Sequence, residues 1–178
     1  MLDALITSKT RIKLLMKFFL NSSSESYLRN LAEEFGESTN AIRVELNKFE
    51  KAGLLDSRSA GNKKMFRANV NHPLFSNIHN LLLKHLGFDQ IIEKVVKNLG
   101  NVKEVFLVGK FAKGIDTEII DLIFVGDAVN KTYLAEVIEK SESLITRKIR
   151  YMIFSCAEMD KYLDQRATTD FLLLWKKE

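Results

Sequence analysis

Basic and amide side chains concentrate between residues 38 and 67, where their types suit contact with a polyanion. Thr39, Asn40, Arg43 and Asn47 would share the exposed side of one helix. Arginine and asparagine can each form two hydrogen bonds to a base edge in the major groove of DNA. We expect Arg43 to contribute most to base reading. The predicted DNA-contacting residues are Ser38, Thr39, Asn40, Arg43, Asn47, Lys48, Arg58, Lys63, Lys64 and Arg67.

Two short helices are predicted to position these side chains. Apolar residues at helical spacing occur on both sides of Gly36, which breaks the pattern. They are Leu31, Ala32 and Phe35 before the break and Ile42, Leu46 and Phe49 after it. Ser38 is expected to cap the second helix and Gly53 to end it in the left-handed conformation. A crossed helix pair, a helix-turn-helix, follows.

A β-hairpin is predicted next, with its turn at Gly61-Asn62, because both residues tolerate positive φ angles. Arg58, Lys63, Lys64 and Arg67 would line the hairpin and neutralise phosphates without reading sequence. For the basic excess of residues 1–87 as a whole, the alternative is an ordinary solvated surface. For Arg43 the alternative is an ion pair with Glu45 or Glu50 on a solvated helix face.

The charges are divided unevenly along the chain. Residues 1–87 carry 13 Lys and Arg against 8 Asp and Glu, a net charge of +5, whereas residues 88–178 carry 14 against 15, a net charge of −1. The basic half is the half with the predicted helix pair and hairpin, as a nucleic-acid partner requires.

Residues 8–86 resemble winged-helix transcriptional regulators of the arsenical-repressor and multiple-antibiotic-resistance types. The resemblance is carried by Ala32-Glu33, Gly36 and Ala52-Gly53-Leu54. It implies double-stranded DNA as partner and, by analogy with paired half-sites, a homodimer. The chain departs from the pattern at Glu37, where an apolar turn residue is usual. It also lacks the paired cysteines of the arsenical-type metal sensors, so we expect no metal sensing.

Further elements are predicted around this segment. Ser8 is expected to cap a first helix that runs through Leu20 and buries one face, formed by Ile12, Leu15, Met16 and Phe19. The stretch NSSSES, residues 21–26, is expected to be a loop. Pro73 suits the first turn of a later helix whose leucine face is predicted to be core or a dimer contact. The three histidines do not form a metal-ligand set.

The second half alternates helices and strands, which predicts an α/β layer. The expected order is a helix from Phe88 to Leu99, strands VKEVFLVG and IIDLIFVG, helix KTYLAEVIEKSESL, strand RKIRYMIFS, and one or two closing helices to Trp175. The very apolar strands indicate a central place in the sheet or coverage of both its faces. DFLLLWKK is interpreted as an amphipathic closing helix, in the core or across a dimer. Cys156 is expected to be a buried, unreactive thiol.

Residues 88–155 resemble a minimal nucleotidyltransferase domain of the polymerase-β-like superfamily. The segment that carries the resemblance is VFLVGKFAKGIDTEIIDLIFVG. In active members a strand ends in glycine-serine, and a later strand bears two aspartates separated by one residue. Here Gly109 matches the glycine and Asp121 the second aspartate, but Lys110 replaces the serine and Ile119 the first aspartate. Lys113-Gly114 matches the basic-glycine step.

This departure implies that the domain has lost catalysis. Two-metal phosphoryl transfer needs several carboxylate oxygens around Mg²⁺, and the strand RKIRYMIFS, which would supply the third carboxylate, contains none. An atypical site that uses Asp116 or Glu118 remains the alternative. Gly109, Lys110, Lys113 and Asp121 could still bind a nucleotide or another anionic ligand. In the alternative interpretation Gly109 only forms a turn, the two lysines only contribute surface charge, and Asp121 has no function.

The sequence therefore predicts an α+β protein with an N-terminal winged helix-turn-helix, residues 1–87, and a small nucleotidyltransferase-like α/β domain with a mixed sheet, residues 88–178. It predicts a cytoplasmic, sequence-specific DNA-binding transcriptional regulator, not an enzyme, with no cofactor, metal, signal peptide or membrane span. The second domain would serve dimerisation or ligand sensing. An active nucleotidyltransferase and a winged-helix protein-interaction module stay open as alternatives.

Overall fold

The computed structural model of the chain describes residues 2–88, 91–92, 100–115, 117–145, 147–165 and 170–177. The chain divides into two compact units, Met1–Leu82 and Leu83–Glu178. It is an α+β protein, and the sheet of the second unit is mixed, as predicted. Within the described part of the chain, no helix combines the length and the apolar character needed to cross a membrane.

The first unit contains a small sheet surrounded by helices. Its elements are α1 (Leu2–Leu5), α2 (Lys9–Leu15) with a π-helical continuation (Met16–Leu20), β1 (Glu25–Tyr27), α3 (Leu28–Phe35), α4 (Thr39–Lys51), β2 (Leu55–Ala60), β3 (Lys63–Ala68) and most of α5 (Phe75–His85), whose residues from Leu83 onward belong to the second unit. The strands are antiparallel in the order β1-β3-β2. The predicted helix pair and the hairpin are both present.

The first long helix is buried more completely than a one-sided pattern predicts. Ser8 caps it as expected, since its hydroxyl accepts a hydrogen bond from the backbone N–H of Arg11. Besides the predicted face, Leu14, Phe18 and Leu20 are also fully buried. The last five residues form a π-helix. The apolar residues of this helix are therefore buried on more than one side, whereas the Arg11 and Lys13 side chains are each 37% exposed and form ion pairs.

The prediction that residues 21–26 form a loop is wrong at its end. Glu25 and Ser26 begin β1, which pairs with β3 so that Ser26 lies opposite Phe66. A three-residue strand of polar residues has no sequence pattern of its own. It forms because β3 offers a free row of backbone hydrogen-bonding groups.

The turn between α3 and α4 is formed as the sequence predicts. Gly36 ends α3 in the left-handed region at φ 65°, and the Ser38 hydroxyl accepts a hydrogen bond from the Ala41 amide at 3.2 Å. Glu37, the departure from the apolar turn residue, accepts hydrogen bonds from Lys13 at 2.8 Å and from Thr10. A carboxylate can occupy this turn because α2 supplies its partners.

The second unit is built on a four-stranded sheet in the order β6-β5-β4-β7, in which only β5 and β6 are parallel. Its elements are β4 (Gly100–Val108), α6 (Gly109–Ala112), β5 (Ile119–Val129), α7 (Lys131–Ile145), β6 (Lys148–Phe154), α8 (Cys156–Asp164) and β7 (Phe171–Lys176). The apolar strands β4 and β5 are central, as predicted. Most of the helix predicted from Phe88 to Leu99 lies outside the described residues; residues 88, 91 and 92 are helical.

The prediction that DFLLLWKK forms a closing helix is wrong. α8 is helical, but Phe171–Lys176 is a strand that pairs antiparallel with β4 and places Trp175 opposite Val105. The rings of Phe171 and Phe106 meet edge to face at 6.1 Å between their centroids. A short apolar run does not distinguish a strand from a buried helix. The segment forms a strand because the edge of β4 offers it free backbone hydrogen-bonding groups.

Glu45 joins α2 to α4 beneath the turn. Its carboxylate accepts hydrogen bonds from Arg11 Nε at 2.9 Å and from Lys48 Nζ at 3.1 Å, although the residue is only 7% exposed. Burial raises the pKa of Glu45, but the hydrogen bonds from Arg11 and Lys48 outweigh it, so the pKa lies below its usual value. The charged carboxylate therefore stabilises the packing of α4 on α2.

We expect Glu45→Gln to lower the free energy of unfolding by about 1–3 kcal/mol at pH 7, because a charge-assisted hydrogen-bond pair is lost. A carboxylate whose pKa is lower in the folded chain stabilises the fold above its unfolded pKa of about 4.3. This contribution is lost as the pH falls through the folded value. Urea unfolding between pH 7 and pH 3 should show that the difference in free energy of unfolding between the wild-type chain and Glu45→Gln decreases as the pH falls.

Glu33→Gln is the matched control, since Glu33 is exposed on α3 and its side chain has no ion pair among the described residues. Equal losses from the two variants, or a gap that does not change with pH, would contradict the role given to Glu45.

Candidate functional sites

The exposed side of α4 carries the predicted base-reading residues together. Thr39, Asn40, Arg43 and Asn47 are all exposed. This arrangement follows from burial of the opposite side, where Ile42, Leu46 and Phe49 are at most 5% exposed. Ser38 is also exposed, but its hydroxyl is occupied as the helix cap.

The Arg43 guanidinium is uncommitted. The two carboxylates that were its alternative partners are occupied: Glu45 binds Arg11 and Lys48, and Glu50 binds Lys64. Within the described part of the chain, Arg43 has no ion pair or side-chain hydrogen bond. Its donors are therefore available to a partner molecule.

Val44 lies on the same exposed surface and was not predicted. Its side chain is 44% exposed, next to Arg43 on the helix. It is an apolar position on an otherwise polar surface. A search for polar side chains overlooks such a residue; the signal was its place between two predicted contacts.

The cations of the hairpin are mostly engaged with the protein itself. Gly61 forms the tight turn at φ 60°. Arg58 donates two hydrogen bonds to Glu25, at 2.8 and 2.6 Å, and Lys64 Nζ lies 2.7 Å from Glu50. Lys63 Nζ stands 4.2 Å from the ring centroid of Tyr27 and forms no ion pair with any carboxylate in the part of the chain that the structure describes. The sequence predicts the cations but not these pairings, which are non-local.

A cleft of about 390 Å³ separates α4 from the hairpin. It contains four predicted contacts, which are Arg43, Asn47, Lys63 and Lys64, and it adds Arg29 from the start of α3 and Tyr27 from β1. The complete lining is Tyr27, Leu28, Arg29, Arg43, Leu46, Asn47, Asn62, Lys63, Lys64 and Phe66. Arg29 was not predicted because it lies on α3, outside the basic stretch at residues 38–67.

The second unit brings Gly109 and Asp121 into direct contact. Gly109 follows β4 with φ 71°, and a Cβ atom at this position would lie 2.8 Å from Asp121 Oδ2. The positive φ angle favours glycine at this position, and the absence of a side chain leaves room for the Asp121 carboxylate. Lys110 is exposed beside the turn, whereas Lys113 forms an ion pair with Asp170 at 2.8 Å.

A guanidinium occupies the position next to Asp121. The parallel pairing of β5 with β6 places Arg150 opposite Asp121, and its Nε and Nη2 donate hydrogen bonds to the two carboxylate oxygens at 2.7 and 3.1 Å. The hydrogen bonds from Arg150 to Asp121 raise the pKa of Arg150, which keeps its charge. Asp116 lies outside the described residues, and Glu118 is exposed. No group of three potential metal ligands occurs among the residues that the structure describes.

Cys156 corrects a further prediction. It is partly exposed at the start of α8, with its Sγ 3.3 Å from Lys103 Nζ and 3.7 Å from Asp127 Oδ2. The thiol is not buried because the apolar strand β6 ends two residues earlier. Of the histidines, His79 contacts the carbonyl of Phe19 at 2.8 Å through Nδ1, which is a structural role.

No protein-family model matches this sequence, and no curated protein matches it. Among solved structures, the chain is similar to a "putative nucleotidyltransferase" from Sulfolobus solfataricus, with 25% identity over 53% of this chain and 83% of that chain and a TM-score of 0.35. A "possible transcriptional regulator for arsenical resistance" is 24% identical over 51% and 88% of the two chains, with a TM-score of 0.31. The adhesin competence repressor of Streptococcus pyogenes is 18% identical over 52% and 72%, with a TM-score of 0.37. The structural neighbours therefore include nucleotidyltransferase-like proteins and regulators, each aligned over about half of this chain.

Proposed function

We propose that this chain is a sequence-specific transcriptional regulator whose first unit is a winged helix that binds double-stranded DNA. The observation that carries the proposal is the uncommitted Arg43 on the open side of α4, beside a cleft with the basic hairpin. In this proposal α4 enters the major groove and the hairpin is the wing that lies along the backbone.

The α4 surface suits base recognition. Arg43 can donate two hydrogen bonds to guanine, and Asn40 and Asn47 can each pair similarly with adenine. Each good bidentate contact contributes about 1–3 kcal/mol of discrimination against the wrong base. Because the opposite side of α4 is buried, the three side chains stand in a fixed order along the groove.

The surrounding cations suit the phosphate backbone. Lys63 has no carboxylate partner among the described residues, and Arg29 and Lys51 are exposed at the start of α3 and the end of α4. Such contacts fix the register of a protein on the duplex and give its binding a steep dependence on salt. The net charge of +5 on residues 1–87 acts in the same direction.

For the second unit we propose a catalytically inactive nucleotidyltransferase-like domain that serves dimerisation or ligand sensing. Arg150 supports this proposal, because a guanidinium hydrogen-bonded to Asp121 competes for the carboxylate that a metal ion would need. Gly109, Lys110 and Lys113 are the residues proposed for an anionic ligand. A homodimer would place two winged helices on adjacent half-sites and multiply affinity through effective concentration.

Arg43→Ala and Lys63→Ala should separate base reading from backbone binding. We expect Arg43→Ala to reduce the preference for a selected operator over a scrambled duplex, with a loss of about 1–3 kcal/mol on the operator alone. Lys63→Ala should weaken binding to both duplexes and reduce the slope of log K against log salt by about one. Fluorescence anisotropy across a salt series measures both quantities.

Arg43→Lys provides the internal control, since it keeps the charge but loses the bidentate fork. It should lose operator preference and keep the salt slope. If all three variants changed the two duplexes equally, the division of labour between α4 and the hairpin would be wrong. If the wild-type chain bound no duplex at low salt but associated with a protein independently of salt, the first unit would be an interaction module.

The second unit is tested by nucleotide transfer. We expect no Mg²⁺-dependent transfer of nucleotide from ATP, CTP, GTP or UTP, and no rise of Tm on adding Mg²⁺. Asp121→Asn should cost at most about 1 kcal/mol of stability, as for other exposed ion pairs. Asp127→Asn is the matched control, because Asp127 forms an exposed ion pair with Lys103. Transfer that is abolished by Asp121→Asn and retained by Asp127→Asn would establish an enzyme.

A further inference from the structure

We propose that Glu50 and Glu25 act as internal substitutes for DNA phosphates: by holding Lys64 and Arg58, they lower the sequence-independent affinity of the hairpin for the DNA backbone. This inference rests on the proposed DNA-binding function. It assigns a role to two carboxylates that lie among the predicted DNA contacts, where negative charge would otherwise oppose binding.

Glu50 joins the end of α4 to both strands of the hairpin. Its Oε2 accepts a hydrogen bond from Lys64 of β3 at 2.7 Å, and its Oε1 accepts one from the Ser57 hydroxyl of β2 at 2.5 Å. The side chains are 31% exposed for Glu50 and 51% exposed for Lys64. The pair is thus open to solvent on the surface where the proposed duplex lies, and a phosphate can reach Lys64.

Glu25 holds Arg58 with the geometry that a phosphate would use. Arg58 lies on β2 and Glu25 on β1, at the two edges of a sheet whose middle strand is β3. The guanidinium donates through Nε and Nη2 to both carboxylate oxygens, at 2.8 and 2.6 Å. This two-bonded arrangement is the one by which arginine also binds two phosphate oxygens. The carboxylate therefore occupies the donors that a backbone contact would need.

Each exchange of a carboxylate for a phosphate has two unfavourable consequences. The cation gives up a hydrogen-bonded ion pair, and the released carboxylate then stands near the negatively charged backbone. Lys63, which contacts the Tyr27 ring, and Arg43 can bind a phosphate or a base without breaking an ion pair or releasing a carboxylate among the described residues. Backbone attraction alone therefore binds weakly, and contacts made by α4 become necessary for a long-lived complex.

The ion pairs of Glu25 and Glu50 with Arg58 and Lys64 persist near neutral pH. The hydrogen bonds from Arg58 lower the pKa of Glu25, and those from Lys64 and Ser57 lower the pKa of Glu50. Both carboxylates are therefore ionised at neutral pH, so their hold on Lys64 and Arg58 is a fixed property of the surface and not a pH switch.

The test is binding of the full chain to a scrambled duplex by fluorescence anisotropy across a salt series. We expect Glu50→Gln to tighten binding by about 3-fold to 10-fold at low salt and to steepen the log K against log salt slope by up to about one, as one more phosphate contact would. Glu33→Gln changes the net charge equally but releases no cation, so it should act more weakly and leave the slope unchanged. Equal effects from the two variants would overturn the proposal.

A double-variant cycle identifies the cation through which Glu50 acts. In a Lys64→Gln background, Glu50→Gln should lose most of its effect, since there is no longer a lysine to release. An undiminished effect would show that Glu50 acts by charge alone. Glu25→Gln with Arg58→Gln gives a second, independent cycle if either Glu50 variant folds poorly by circular dichroism. Absence of wild-type binding to any duplex, operator included, would instead contradict the DNA-binding function itself.

Discussion

Burial of one side of α4 is the constraint on which the proposed interface depends. Ile42, Leu46 and Phe49 face the core, and the buried carboxylate of Glu45 ties the helix to Arg11 of α2. A helix pinned by apolar packing and by an ion pair of fixed geometry cannot rotate to expose a different stripe. The order of Asn40, Arg43, Val44 and Asn47 on the open side is therefore set by contacts that those residues do not make.

Contacts between neighbouring elements also determine which cations of the hairpin are free. The predicted cations of a basic wing would be free, yet Arg58 and Lys64 are held by carboxylates from β1 and α4. These pairs are exposed, so each contributes little to stability. Their larger effect is on where positive charge is available: at Arg43 and Lys63, on the two sides of the cleft, more than along the outer strands.

Features that depend on neighbouring residues could be predicted from the sequence. The features that could not be predicted depend on contacts between residues far apart in the chain. Ser8, Ser38, Gly36 and Gly53 act on their own neighbours, so caps and helix ends follow from residue type. β1 and β7 form only because β3 and β4 offer free edges, and neither edge can be seen in the short sequences concerned. The pairings of Glu25, Glu50 and Arg150 depend on which strands become neighbours. The candidate residues on α4 were therefore predictable, whereas their electrostatic partners were not.

Arg150 shows how a single neighbouring side chain limits what a carboxylate can bind. Asp121 lies beside the glycine turn at Gly109, which resembles a phosphoryl-transfer site when the sequence is considered alone. In the structure, the strand expected to contribute another carboxylate places a guanidinium across from it, 68% exposed and bonded to both oxygens. A carboxylate that binds Mg²⁺ must direct its oxygens at the ion, and a bidentate arginine uses the same lone pairs. Positive charge next to Asp121 is therefore supplied by Arg150, in addition to Lys110 and Lys113, which are proposed to bind an anionic ligand at the Gly109 turn.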